Sequence, residues 1–207
     1  ATFVRKGGAF VTTYWTGIVD ENDLVILKGW PGGQLRAVQG IWAEEMDALY
    51  PSDVNHIVPT SDNSLGLRGI YEAHDYCDLV HAEGADVLAT YQDDFYAGRP
   101  ALTVNSYGDG KAYTLSTNGD DRFVSDFYGA LAGQLDLLRS IDIHLPHGVS
   151  AQVRSDGVSD YIFVMNFNNT VRGINLGSET YKDLLSGETL TGVVKLGVYD
   201  VKVLTQS

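Results

Sequence analysis

The clearest hydrophobic pattern in the chain is near its start, at Ala9–Trp15. This stretch is apolar and rich in β-branched and aromatic residues, which is typical of a buried strand. Gly7 and Gly8 precede it and can adopt the left-handed conformation that ends a helix, so Ala1–Lys6 is predicted to be the last part of a helix. A helix that leads into a buried strand is half of a βαβ unit, which predicts an α/β domain that is incomplete at its N-terminus.

Further along, the pattern predicts more strands and one long helix. Alternating positions favour an edge strand at Ile41–Leu49, although its Ala, Glu and Met residues favour helix. The sequence around Asp109-Gly110 predicts a type I′ hairpin turn. Asp120 is expected to cap a helix over Phe123–Leu138, whose apolar residues recur at helical spacing and form one stripe that closes the first domain.

The chain changes character after His144–Gly148, which has the composition of a boundary. Short predicted strands follow, separated by turns rich in Gly, Ser, Asp and Asn. We therefore predict an α/β domain over residues 1–143 and a small antiparallel all-β domain over residues 144–207.

Composition narrows the function classes. The 207 residues carry 14 basic and 27 acidic side chains, a formal net charge of −13, which argues against nucleic acid or an anionic membrane as a partner. Cys77 is the one cysteine, so the chain has no internal disulfide, as expected in a reducing compartment. No apolar run approaches the ~20 residues that a membrane helix needs.

A search for catalytic chemistry finds no constellation. The neighbouring acidic pairs, such as Asp93-Asp94, point to opposite faces of a strand and do not make a glycosidase dyad. Cys77 lacks the flanking glycines of a nucleophile elbow, and a buried core thiol is the simpler interpretation. Neither a metal-ligand motif nor a phosphate-binding glycine loop is present. We therefore assign no catalytic, cofactor or metal residue, and we expect no cofactor.

Several stretches resemble the C-terminal part of bacterial β-galactosidases of glycoside hydrolase family 42. They occur in the family's order, at Gly8–Asp23, Gly29–Gly32, Tyr96–Tyr113, Asp183–Glu188 and Leu196–Leu204. The resemblance implies a trimerisation domain of flavodoxin-like or class I glutamine amidotransferase-like architecture, followed by the family's C-terminal β domain. It also implies a cytoplasmic bacterial parent enzyme that forms a homotrimer and cleaves terminal β-D-galactosides, of the lactose type, with retention.

In that family, the catalytic glutamates belong to an N-terminal (β/α)8 barrel, which binds the galactoside. No Asn-Glu pair that would match the family's acid/base motif occurs in this sequence, so no catalytic residue is carried over. The resemblance thus implies a non-catalytic oligomerisation and accessory region, inactive by itself.

The long connection Thr16–Pro31 is the expected contact with a neighbouring subunit. It holds acidic residues, a run of four apolar residues and a tryptophan that need cover. A three-fold ring uses a heterologous contact, in which one surface meets a different surface of the neighbour. The candidate interface residues are Tyr14, Trp15, Asp20, Glu21, Asn22, Leu24, Ile26 and Trp30.

Two alternatives remain open at this point. One is a stand-alone α/β hydrolase or amidotransferase-like enzyme that uses Cys77 as its nucleophile. The other is a carbohydrate-binding β module at residues 149–207.

Overall fold

The computed structural model describes residues 1–206, which form two compact units. The first unit is Ala1–Asp136, and the second begins at Leu137. Of the residues that the structure describes, 43% lie in strands and 12% in helices. Within the described residues, no helix combines the length and the apolar character that crossing a membrane requires.

The first unit has short helices α1 and α2, a longer helix α3, and a sheet of eight strands. The helices are α1 (Thr2–Arg5), α2 (Gly33–Gln39) and α3 (Asp121–Gln134). The strands are β1 (Ala9–Thr13), β2 (Ile41–Ala48), β3 (Asn55–Pro59), β4 (Tyr71–Ala82), β5 (Asp86–Tyr91), β6 (Pro100–Tyr107), β7 (Gly110–Leu115) and β8 (Thr117–Gly119).

The strand order in this sheet is β1-β7-β6-β5-β3-β4-β2, and β8 pairs with β4. Strand β1 runs parallel to β7, with Val11 opposite Tyr113, and the other strand pairs of the sheet are antiparallel. Strand β2 is the last strand in this order and forms one edge of the sheet. The edge strand that the sequence predicted at Ile41–Leu49 is therefore confirmed.

The predicted flavodoxin-like or class I glutamine amidotransferase-like α/β fold is wrong for this chain. Such a fold needs parallel strands joined by crossover helices, whereas β5, β6 and β7 follow one another as antiparallel neighbours. Helix α1 has four residues and β1 lies at the edge of the sheet rather than at its centre. The glycines after α1 do end a helix, but that local signal is compatible with a mixed sheet as well as with a βαβ unit.

The helices cover opposite faces of the sheet. Tyr113 of β7 packs against Phe127 of α3, with ring centroids 5.8 Å apart. Its neighbour Ala112 packs with Val4 of α1 and Val38 of α2. Since adjacent residues of a strand point to opposite faces, α3 lies on one side and α1 with α2 on the other.

The second unit is built from antiparallel strand pairs. Its sheets have the orders β13-β12-β15-β10-β9 and β11-β14. Its core gathers Val164, Ile174, Leu176, Leu196 and Leu204. The strands are β9 (Val149–Ser155), β10 (Asp160–Asn166), β11 (Arg172–Asn175), β12 (Tyr181–Asp183), β13 (Thr189–Leu190), β14 (Val193–Leu196) and β15 (Val201–Gln206).

Candidate subunit-interface loop

The candidate site is the connection between β1 and α2, which we call the interface loop and define as residues 14–31. Its first turn is held by Thr16, whose Oγ1 donates to the Thr13 carbonyl at 2.7 Å. Trp15 has a φ of +63°, a backbone conformation that is uncommon for a residue with a β-carbon. The Trp15 backbone N–H donates to Oδ2 of Asp78 on β4 at 3.0 Å, so a buried carboxylate holds the strained turn.

Aromatic packing extends this root of the loop. The Trp15 ring lies 4.6 Å from the ring of Tyr76 on β4, and the Tyr14 ring lies 5.7 Å from Tyr76. The indole N–H of Trp15 donates to the sulfur of Met46 on β2. Tyr14 and Trp15 are therefore packed against their own sheet on one side, while Trp15 stays partly exposed on the other.

The middle of the loop folds back as a small hairpin. Val19 and Val25 form an antiparallel bridge, and the Ile26 N–H donates to the Ile18 carbonyl at 2.9 Å. At the tip, Oδ1 of Asp20 accepts hydrogen bonds from the backbone N–H groups of Asn22, at 2.8 Å, and Leu24, at 3.0 Å. Asp20 thus shapes the turn, as Asp residues commonly do, while Glu21 and Asn22 are exposed.

The last part of the loop packs into the core of the first unit. Trp30 exchanges backbone hydrogen bonds with Ala43 of β2, and its side chain is 8% exposed among Ile41, Val80 and Ala85. Ile26 is half-buried against Gly32, where any side chain would collide with it. The candidates Trp30 and Ile26 therefore serve the loop's own packing.

The loop's outer side is apolar and open. Leu24, Val25 and Leu27 are 64%, 59% and 85% exposed. Trp15 and Val19 are partly exposed as well. We call these five residues the loop surface. The sequence candidates name Trp15 and Leu24 but not Val19, and they name Val25 and Leu27 only as part of the apolar run. The alternation along residues 24–27, which turns Ile26 inward and its neighbours outward, was the signal for the last two.

The carboxyl group of Asp78, which lies beneath the loop, has a pKa that is strongly shifted by its surroundings. Its side chain is 3% exposed, and burial raises its pKa from 3.8 to about 6. The hydrogen bond from the Trp15 backbone N–H, which favours the charged form, opposes this rise. A buried carboxylate that is half-ionised at about pH 6 therefore lies under the root of the interface loop.

The remaining candidates for chemistry do not assemble a reaction centre. Cys77 is fully buried, its Sγ lies 3.5 Å from Oγ1 of Thr117, and burial raises its pKa. A reactive thiol needs a lowered pKa and access, so Cys77 has the features of a core residue. Over residues 1–206, no group of three or more His, Cys, Asp or Glu side chains is arranged to hold a metal ion.

Family models and similar proteins all indicate the same protein family for this chain. Residues 1–138 match the model of the β-galactosidase trimerisation domain, and residues 148–206 match that of the β-galactosidase C-terminal domain. The chain is 50% identical over 202 residues to β-galactosidase Pbg of Clostridium perfringens and 45% identical over 202 residues to BglY of Alicyclobacillus acidocaldarius. Each alignment covers 98% of this chain and 29% of the relative.

Solved structures agree with the sequence comparison. The cold-adapted β-galactosidase of Rahnella sp. R3 superposes with a TM-score of 0.88 at 45% identity, over 99% of this chain and 29% of that one. Gan42B, a GH42 β-galactosidase from G. stearothermophilus, gives a TM-score of 0.84 at 39% identity, over the same shares of the two chains. The chain belongs to the β-galactosidases of glycoside hydrolase family 42 and comprises their trimerisation domain followed by their C-terminal domain.

Proposed function

We propose that this chain is a non-catalytic oligomerisation and accessory region of a homotrimeric β-galactosidase, and that the interface loop contacts the neighbouring subunit. The observation that supports the assembly role best is the loop surface, an exposed apolar patch on a segment that is otherwise firmly held. Large exposed apolar patches on folded proteins mark interaction sites. The family model for residues 1–138 carries the same implication in its description as a trimerisation domain.

The loop surface is suited to association because its shape is fixed in advance. The Asp20 turn, the Val19–Val25 bridge and the Asp78 contact hold the backbone in one conformation. A partner therefore gains the apolar contact without ordering the loop, which is the usual benefit of preorganisation. Covering Leu24, Val25 and Leu27 contributes about 1–2 kcal/mol each at their present exposure.

Catalysis is proposed for the part of the relatives that this chain does not span. The relatives named above are β-galactosidases, and the chain covers 29% of their length. We propose that the whole enzyme hydrolyses terminal β-D-galactosides of the lactose type with retention, and that a barrel outside this chain binds the substrate. We also propose a bacterial cytoplasmic location, consistent with a single buried, unpaired cysteine. Purified chain should leave a chromogenic galactoside intact, and hydrolysis would overturn the non-catalytic assignment.

The interface assignment is tested by a charge placed on the loop surface. Leu27→Asp removes an exposed leucine and brings a carboxylate into the contact, so it should weaken association by at least about 2 kcal/mol, roughly 30-fold in the dissociation constant. Leu185→Asp is the matched control, because Leu185 is a leucine 65% exposed in the second unit. Light scattering after size exclusion measures both variants. Equal association of Leu27→Asp and the wild type would refute the role of the loop surface.

A further inference from the structure

A small cavity lies between the two ends of the interface loop. Thr13 and Thr16 bound it at the loop's start, and Trp30 and Pro31 at the loop's end. Asp78 of β4, Gln39 and Thr114 supply further polar lining. Its volume is about 10 Å³, which is about the room that one water molecule requires. The cavity is therefore of the right size for a single small polar guest.

Two buried polar atoms of this lining lack hydrogen-bond partners in the protein. They are Nε1 of Trp30, which is a donor, and Oδ1 of Asp78, which is an acceptor. The other Asp78 oxygen, Oδ2, accepts the Trp15 backbone N–H. Leaving such groups unpaired is costly, and buried polar groups in folded proteins are paired with protein or with ordered water.

We propose that the cavity binds one water molecule, which accepts the indole N–H of Trp30 and donates to Oδ1 of Asp78. This water and the direct Trp15 contact then tie both ends of the interface loop to the same carboxylate on β4. Asp78 acts as a positioning residue for the loop. The proposal concerns the loop within a single chain, so its test is separate from that of subunit association.

The chemistry of the two atoms selects water over other guests. A metal cation is coordinated by oxygen, nitrogen or sulfur lone pairs, and the indole N–H of Trp30 offers a proton instead. An anion would face the carboxylate of Asp78. A water molecule can accept the N–H of Trp30 Nε1 with a lone pair and can donate a proton to Oδ1 of Asp78.

Nuclear magnetic resonance on the whole 207-residue chain can detect this water. The chain has three tryptophans and therefore three indole N–H signals, and Trp30→Phe identifies the signal of Trp30 by its loss. The expected result is a cross-relaxation peak between the Trp30 indole proton and a long-lived water. The Trp42 indole provides the comparison on a half-buried side chain. If the Trp30 indole proton shows no long-lived water contact, the proposal is overturned.

Amide exchange tests the anchoring role of Asp78. Asp78→Ala removes the acceptor of the Trp15 N–H, so exchange at Trp15 should accelerate by about tenfold or more, the usual worth of a charge-assisted hydrogen bond. Glu72→Gln is the control, because it removes an exposed carboxylate from the same strand. Unchanged exchange at Trp15 in folded Asp78→Ala would overturn the anchoring role. If that variant does not fold, the water contact in the wild-type chain decides the proposal.

Discussion

The buried carboxylate of Asp78 predicts an unusual stability profile. Its pKa of about 6 in the folded chain exceeds the ordinary value of 3.8 because burial disfavours the charged form. Between these two pH values, the folded state holds a proton that the unfolded state has released. Stability of the wild type therefore falls as pH rises through this window, and above about pH 6 the loss is complete.

Asp78→Asn removes the charge while it keeps the size of the side chain and an oxygen that accepts the Trp15 N–H. One pKa unit corresponds to ~1.36 kcal/mol, so the rise from 3.8 to about 6 costs the wild type up to about 3 kcal/mol at pH 7. We expect the variant to be more stable than the wild type by about 1–3 kcal/mol at pH 7. The difference should shrink to near zero below pH ~4, where Asp78 is protonated in both states.

Urea unfolding monitored by tryptophan fluorescence at several pH values measures this difference. Trp15, Trp30 and Trp42 all lie in the first unit, so the signal reports the unit that contains Asp78. Glu72→Gln again controls for the loss of an exposed carboxylate on the same strand. A variant less stable than the wild type at pH 7, or a stability difference that does not vary with pH, would refute the reasoning.

Other predictions concern the loop tip, the core and the thiol. Asp20→Ala removes the acceptor of two backbone N–H groups, so amide exchange at Leu24 should accelerate, and an unchanged rate would contradict the role of Asp20 in the turn. Phe127→Ala leaves a cavity under α3 and should lower the unfolding free energy by about 3–5 kcal/mol in urea titration, whereas a loss below about 1 would count against its place in the core. Cys77 should react with iodoacetamide only after unfolding, and rapid labelling of the folded chain would favour a nucleophilic role instead.

Features set by neighbouring residues were predicted well. Asp120 caps α3 as expected, and its Oδ1 accepts the Phe123 N–H at 2.6 Å. The hairpin between β6 and β7 was also predicted, but its two loop residues are Gly108 and Asp109, with positive φ at Gly108. This geometry places glycine first, as in a type II′ turn, where the sequence suggested type I′.

Features set by distant pairing were not predictable in the same way. The glycines before β1 end a helix in a mixed sheet as readily as in a βαβ unit, so they do not reveal that β1 pairs with β7, about 100 residues away. Strand order depends on contacts of long sequence separation, for which a single sequence offers no local signal. The α/β prediction failed for this reason.

In the interface loop, too, the features set by neighbouring residues were predictable and the contacts with distant residues were not. Its length and apolar run correctly pointed to a segment with much hydrophobic surface. The sequence did not show that Ala43 of β2 pairs with Trp30 and helps to bury it, because that contact joins separate elements. It follows that the open apolar side consists mainly of Val25, Leu24 and Leu27 rather than Trp30.

Sedimentation equilibrium of the purified wild-type chain over a wide concentration range tests the proposed assembly most directly. The account predicts a monomer–trimer equilibrium, with three times the mass of one chain at high concentration. A single monomeric species at every concentration would contradict the claim that this region holds subunits together.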